Sequence, residues 1–381
     1  MTKLRWIGLL VVFLLGQSVA AGIAGSPAKH WPTYEWLSAT PEDHGLNSNQ
    51  LNKTIEVIQS ENIPITSLIV VKNGYLVLEY YNLKNENSTH SIYSCTKGIT
   101  GLLIGIAIDK GYIASVDEPI NHYFDNSSWD DPRKDSITIR HLLTMTAGFE
   151  YDELTTSYAV ADNDFNLWRS SSDCIQFMLE LPMVYDPGVQ FNFSTGVSHL
   201  LNAILYKATN QTPLEFANQY LFGPIGVEIA GWEIKQGIHN GGTGIKMTAR
   251  DMARIGYLVL NNGTWNGTQV ISGKWINQAT KAQIHNFYGY QWWVLPEKDY
   301  GRGACNSAGF FDNLKITVLP EYDLVVVITS AYIEGVVAEP NRMLITDYII
   351  PATETKASPG YTAFTALALV VPVLARRYRN K

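Results

Sequence analysis

The chain has 381 residues, 46% of them hydrophobic and 17% charged, with a formal net charge of −7. That composition supports a large core, and the length fits about two to three domains or one two-lobed catalytic unit. No long basic run lies in the body, which argues against a nucleic-acid partner. Three cysteines, Cys95, Cys174 and Cys305, are too few for a disulfide framework and lack Cys-x-x-Cys metal spacing. A single Cys95–Cys305 bridge stays open, with three buried thiols the simpler reading. No His-Glu-x-x-His or His-x-His-x-Asp arrangement occurs, so neither a metal nor another cofactor is expected.

Residues 1–21 carry Lys3 and Arg5, an apolar run from Trp6 to Leu15, and Ser18-Val19-Ala20 at a cleavage-type spacing. This is the order of a secretory signal peptide; an uncleaved anchor is the alternative, although the run falls short of the roughly 20 apolar residues of a span. A domain over 30–350 follows. Apolar residues at Leu51, Ile55 and Ile58 predict a helix over Gln50 to Ser60, and two β-rich runs flanking Asn73-Gly74 (Ser67 to Tyr81) predict a hairpin with a type I′ turn.

Next, the polar stretch Asn85 to Ser91 gives way to the apolar run Ile99 to Ile108, so a buried helix starts near Ser94 and ends near Lys110-Gly111. Ser94 and Lys97 then project from one helix face, a turn apart. A serine hydroxyl needs a neighbouring base to become a nucleophile, and a lysine amine serves if burial and the helix dipole lower its pKa. The pattern alone is weak, because a chain of this length holds about one or two Ser-x-x-Lys by chance. The second copy, Ser26-Pro27-Ala28-Lys29, heads no helix. Cys95 projects about 100° around the helix from Ser94, away from Lys97, and reads as core.

From about 112 to 285 the pattern is mainly helical. Helices are expected over Ile139 to Met145, His199 to Thr209 and Thr248 to Leu260, with a loop-rich span from Phe149 to Ser172. Strands are expected over Gly289 to Leu295, Leu314 to Leu319 and Leu324 to Thr329. Strands at both ends with helices between predict a mixed α/β (α+β) fold, an antiparallel sheet closed by the two ends of the chain and flanked by helices, with a helical lobe inserted.

A polar linker (351–360) leads to Pro359-Gly360-Tyr361 and an apolar C-terminal segment (361–381) ending in Arg376, Arg377, Arg379 and Lys381. This order resembles the three-part C-terminal sorting signal of archaeal surface proteins, in which the tail is replaced by a lipid anchor; a plain membrane anchor is the alternative. Basic residues at both ends place the body outside the cell, anchored at its surface. Seven Asn-x-Ser/Thr sites, at Asn52, Asn87, Asn126, Asn192, Asn210, Asn262 and Asn266, are compatible with a glycoprotein.

Several segments together resemble one family. Ser94-Cys95-Thr96-Lys97, Ile137 to Gly148, Asp186-Pro187-Gly188, Phe193-Ser194-Thr195-Gly196, Met247 to Arg254 and Tyr288 to Trp293 follow the order found in serine hydrolases of the β-lactamase and penicillin-binding type. The class C-like branch, with its esterases and aminohexanoate-dimer amidase, is nearest. The resemblance implies a β-lactamase/transpeptidase-like fold, with Ser94 as acylated nucleophile and Lys97 as its base. It also implies an oxyanion hole from the amides of Ser94 and Phe310, and substrate contacts from Tyr151, Phe193, Thr195, Ser307 and Gly309.

Two of the three family motifs depart from the pattern. Phe193 stands where a tyrosine hydroxyl shuttles protons, which leaves Lys97 alone, a substitute such as Tyr151, or weakened catalysis. Ser307-Ala308-Gly309 stands where Lys-Thr-Gly is usual, removing a carboxylate-binding cation; Arg302 is one candidate to replace it, with an exposed loop arginine the simpler reading. Efficient β-lactamase or D-alanyl-D-alanine carboxypeptidase activity is therefore not expected. A small-molecule or peptide ester or amide without a required carboxylate fits better, and a catalytically impaired ligand-binding protein at the cell surface is the alternative. Phe287, Tyr288, Tyr290, Trp292 and Trp293 are divided between an acyl pocket and the core.

Overall fold

Asn73 and Gly74 both adopt positive φ (53° and 83°), as a two-residue type I′ turn requires. They join β1 (Ile65–Lys72) to β2 (Tyr75–Tyr81). The computed structural model describes residues 28–125, 129–309, 313–331 and 339–353. The expected signal peptide (1–21), the C-terminal segment (361–381), Asn126 and Phe310 lie outside the described residues.

Around the hairpin the elements follow in chain order. Helix α1 (Ser48–Ser60) precedes it; β3 (Thr89–Ser91), α2 (Cys95–Asp109), α3 (Ile139–Leu143), α4 (Asp164–Ser170) and α5 (Thr195–Thr209) come after. Then come β4 (Ile229–Trp232), β5 (Ile245–Thr248), α6 (Ala249–Leu260), β6 (Trp293–Val294), β7 (Cys305–Gly309), β8 (Leu314–Leu319) and β9 (Leu324–Ser330). The main sheet runs β6-β7-β8-β9-β1-β2 and is antiparallel throughout, with Ile69 opposite Val327 on one side and Glu79 on the other. The two ends of the chain thus build the expected α/β sheet, and the helical lobe is inserted between them.

The sheet separates two cores. Leu68, Val70, Val326 and Ile328 face α1 and the C-terminal residues Leu344, Ile345 and Ile349, while Ile69, Val71, Val325 and Val327 face α2 and the lobe. Burial on both faces explains why β1 reads as a continuous apolar run. Helix α2 is buried from Cys95 through Ala107, so it is apolar all round, as a central helix must be.

Three expectations need correcting. The run Gly289 to Leu295 forms only the two-residue β6, because Gln291 turns to φ 64°. Its amide is held in the core by Ser198 Oγ (2.7 Å) and the carbonyls of Leu142 and Leu143 (both 3.1 Å). The helix expected to reach Met145 stops at Leu143, and Met145 takes φ 58°. The linker cannot begin at 351, since Ala352 is fully buried and its carbonyl accepts the Asn47 amide at 2.9 Å. All three cysteines are buried thiols outside any disulfide; Cys95 Sγ donates instead to the carbonyl of Ser307 at 3.2 Å.

Close packing of α2 depends on Gly101, where a Cβ would lie 2.7 Å from the Tyr290 carbonyl oxygen. Alanine gains about 1 kcal/mol of helix propensity over glycine, yet pushing backbone out of a packed core costs about 1–3 kcal/mol. Gly101→Ala is therefore expected to lower the urea midpoint of unfolding, and an unchanged or higher midpoint would contradict the packing described.

Candidate active site

Ser94 sits where β3 hands over to α2. Tyr93 before it takes φ 44°, a left-handed conformation uncommon for a bulky residue, and this turn brings Ser94 to the helix start. Although Ser94 occupies the N-cap position, its side chain makes no capping bond, so the hydroxyl is not spent on the backbone.

One turn on, Lys97 is 2% exposed. Its Nζ donates to Ser94 Oγ, Thr195 Oγ1 and the Gly242 carbonyl, each at 3.0 Å. Burial pulls its pKa down to about 8, against the opposing pull of the Glu153 and Cys95 charges. Among the described residues no carboxylate ion-pairs with it directly; Thr195 stands between Lys97 and Glu153.

Thr195 opens α5, where the first amide groups have no partner within the helix. Glu153, 1% exposed, supplies one: Thr195 N–H donates to its Oε2 at 2.8 Å and Thr195 Oγ1 to its Oε1 at 2.9 Å. Tyr151 and Tyr158 hydroxyls donate to the same carboxylate at 3.0 and 3.1 Å. Burial, then the Glu153 charge, raises both tyrosine pKa values, which keeps the hydroxyls protonated as donors. The expectation that Tyr151 reaches the cleft is thereby corrected: its hydroxyl points at Glu153 and its ring is core.

Phe193 lies over the amine, with Lys97 Nζ 4.5 Å from its ring centroid. It stacks on Trp293 at 6.1 Å and 19°. Both rings, with Ser94, Thr195, Ala308 and Gly309, line a cleft of about 1160 Å3. Of the aromatic run, Tyr288, Tyr290 and Trp292 are core, and Trp293 alone lines this cleft.

On β7 the expected facing of Ser307 is also corrected. Its Oγ donates to the Cys95 carbonyl at 3.1 Å, so the side chain pins the strand to α2. The cleft receives the Ala308 methyl instead. At Gly309 a Cβ would lie 2.6 Å from the Ile92 carbonyl and 3.1 Å from Ser94 N, so only glycine lets β7 approach the Ser94 amide this closely. Arg302 does not face the cleft; it is a surface residue paired with Glu321 at 3.3 Å. The cations that do line the cleft are Lys246 of β5, Arg169, paired with Glu233 at 2.9 Å, and Arg342, paired with Asp299 at 3.2 Å.

Sequence reasoning missed Glu153, the Gly242 carbonyl and Lys246. The usable signal for Glu153 was an acidic pair, Asp152-Glu153, inside a loop already marked as long; nothing local announces a carbonyl or a strand lysine.

Comparison with known proteins gives the family and the fold. The chain is 23% identical over 296 residues to the 6-aminohexanoate-dimer hydrolase of Paenarthrobacter ureafaciens, covering 70% of this chain and 72% of that protein. Its fold is similar to that of EstCE1, a hydrolase with promiscuous acyltransferase activity (TM-score 0.65, 13% identity, 79% of this chain and 98% of that one). It is similar also to the octameric penicillin-binding protein homologue from Pyrococcus abyssi (TM-score 0.63, 18% identity, 81% of this chain and 79% of that one). The Beta-lactamase family description matches residues 51–345, and the chain belongs to that family, whose general serine hydrolase chemistry the site resembles.

Proposed function

We propose that this protein hydrolyses a carboxylic ester or amide through an acyl intermediate on Ser94, with Lys97 as the base. The observation that carries this reading is a fully buried amine, its pKa lowered to about 8, at 3.0 Å from a serine hydroxyl that caps nothing. As Ser94 Oγ bonds to the acyl carbon, its proton passes to Lys97 Nζ; the ammonium returns that proton to the leaving oxygen or nitrogen as the scissile bond breaks. Water then adds to the acyl-enzyme, giving its proton to Lys97, and the carboxylic acid leaves as Ser94 Oγ is reprotonated. The Ser94 amide supports the oxyanion, with the Phe310 amide proposed as the second donor.

The substrate reading follows from the cleft walls. Phe193 and Trp293 offer aromatic surface to an acyl or leaving group, and Ser307 supplies no cation beside the nucleophile, which favours esters and amides over penicillins. The 6-aminohexanoate-dimer hydrolase activity named for the Paenarthrobacter relative and the hydrolase and acyltransferase activity named for EstCE1 support this reading. Phe193, lacking a hydroxyl, favours the second reading of a binding protein with an impaired centre. We place the protein outside the cell, held at its surface, on the basic-apolar-small order of residues 1–21 and the Pro-Gly-Tyr, apolar and basic order of the C-terminal segment.

A fluorophosphonate probe is expected to add its mass to the Ser94 peptide of the wild type and to leave Ser94→Ala unlabelled. Lys97→Met should lower kcat/KM for aryl esters by about 10²–10⁴. Absence of labelling at high probe concentration would favour the binding reading. The pH dependence has a definite sign. The neutral amine is the active form, so kcat/KM for an uncharged aryl ester should rise about tenfold per pH unit below about 8 and level off above it. A profile flat from pH 6 to 9 would remove Lys97 as the base.

A further inference from the structure

A neutral lysine amine has two N–H donors and one lone pair, and it works as a base only if the lone pair faces the hydroxyl it must deprotonate. Among the described residues Lys97 has three hydrogen-bond partners, each at 3.0 Å, so the question is which of them meets the lone pair. Gly242 offers a carbonyl, which only accepts. Thr195 offers a hydroxyl, which can accept or donate, but its proton is already given to Glu153 Oε1 at 2.9 Å. Glu153 in turn receives four donors, the Thr195 amide and the hydroxyls of Thr195, Tyr151 and Tyr158. A carboxylate is acceptor-only with about four lone-pair sites, so this set satisfies it and leaves it nothing to donate. With Gly242 and Thr195 both held as acceptors, both N–H bonds of neutral Lys97 are taken, and Ser94 alone remains to meet the lone pair.

We propose that Glu153, acting through Thr195, is a positioning residue that aims the Lys97 lone pair at Ser94, in a site where Phe193 offers no aromatic hydroxyl. The inference rests on the Ser94–Lys97 reading above. It adds a direction to the hydrogen-bond chain: donors run from Lys97 to Thr195 to Glu153 and not back.

Glutamine at 153 reverses that direction. The Thr195 backbone N–H is a donor that cannot turn, so the glutamine oxygen must face it. The amide nitrogen is then left opposite Thr195 Oγ1, where it donates. The threonine hydroxyl turns its proton to Lys97 and competes with Ser94 for the lone pair. Valine at 195 removes the hydroxyl with little change of shape, and serine keeps it.

The test is the pH profile of kcat/KM for an aryl ester, measured on wild type, Glu153→Gln, Thr195→Val and Thr195→Ser, alongside fluorophosphonate labelling and thermal melting of each. Glu153→Gln is expected to lower the high-pH plateau about 10²-fold. Its half-rise should fall below about pH 8, because a charge that supports the ammonium is gone. Thr195→Val should lose about as much, and Thr195→Ser should recover close to wild-type rates. If Glu153→Gln does not fold, the Thr195 pair decides alone. A Glu153→Gln plateau equal to wild type, with only the acid shift, would reduce Glu153 to a background charge and overturn the inference. Equal rates for Thr195→Val and Thr195→Ser would overturn it too. In both cases labelled wild-type Ser94 leaves the hydrolase reading standing, whereas an unlabelled wild type sinks both.

Discussion

An amine taken out of water is the constraint on which this site depends. Lys97 loses its hydration on a helix buried from Cys95 through Ala107, and the protein replaces that hydration with three oxygen atoms from three parts of the chain. Each sits at ordinary hydrogen-bond length, so the charged form is supported less well than in water and the pKa falls to about 8. A direct carboxylate partner would hold the lysine permanently charged. Glu153 is kept one threonine away, close enough to anchor the chain of bonds and too far to ion-pair.

Phe193 belongs to the same balance. A ring face 4.5 Å from the amine favours the ammonium, by about 0.5–2 kcal/mol for cation–π contacts in general. Burial works in the opposite direction and prevails, since the net shift is downward. The phenyl ring therefore closes the site against water and stacks on Trp293 without offering a second acid or base. The hydroxyl that does touch the amine, besides that of Ser94, is Thr195 Oγ1.

Much of this was legible in the text of the chain, and the reasons differ by residue. Asn73-Gly74 and the Ser94 helix are local patterns with local causes, so their outlines match the structure closely. The sheet closed by both chain ends followed from element order alone. Ser307 was misread because a motif alignment does not say which face of a two-sided strand a side chain takes, and that depends on how β7 lies against α2. Tyr151 was placed correctly in the chain and wrongly in space: in a loop with no period, the side chain follows its partner, and the partner is Glu153. Gln291 broke an expected strand for the same reason, its amide being claimed by α3 and α5.

The changed motifs at 193 and 307 are connected through α2. A lysine at 307 would have to leave this packing, since the present side chain bonds the Cys95 carbonyl inside the core. With serine there, β7 instead serves to hold α2, and Gly309 brings the strand to the Ser94 amide. The cations of the cleft then lie on other walls than β7: Lys246 on β5, which pairs with Ser91 of β3 and Gly231 of β4, beside the ion-paired Arg169 and Arg342. Loss of a cation at 307 and loss of a hydroxyl at 193 both remove polar groups from the Lys97 surroundings. What remains around the amine is one hydroxyl to activate, one to hold it in place, and a carbonyl. Such an environment suits a base that must spend part of its time uncharged, and it makes the direction of the Thr195 bond, rather than any neighbouring charge, the feature that decides which hydroxyl is deprotonated.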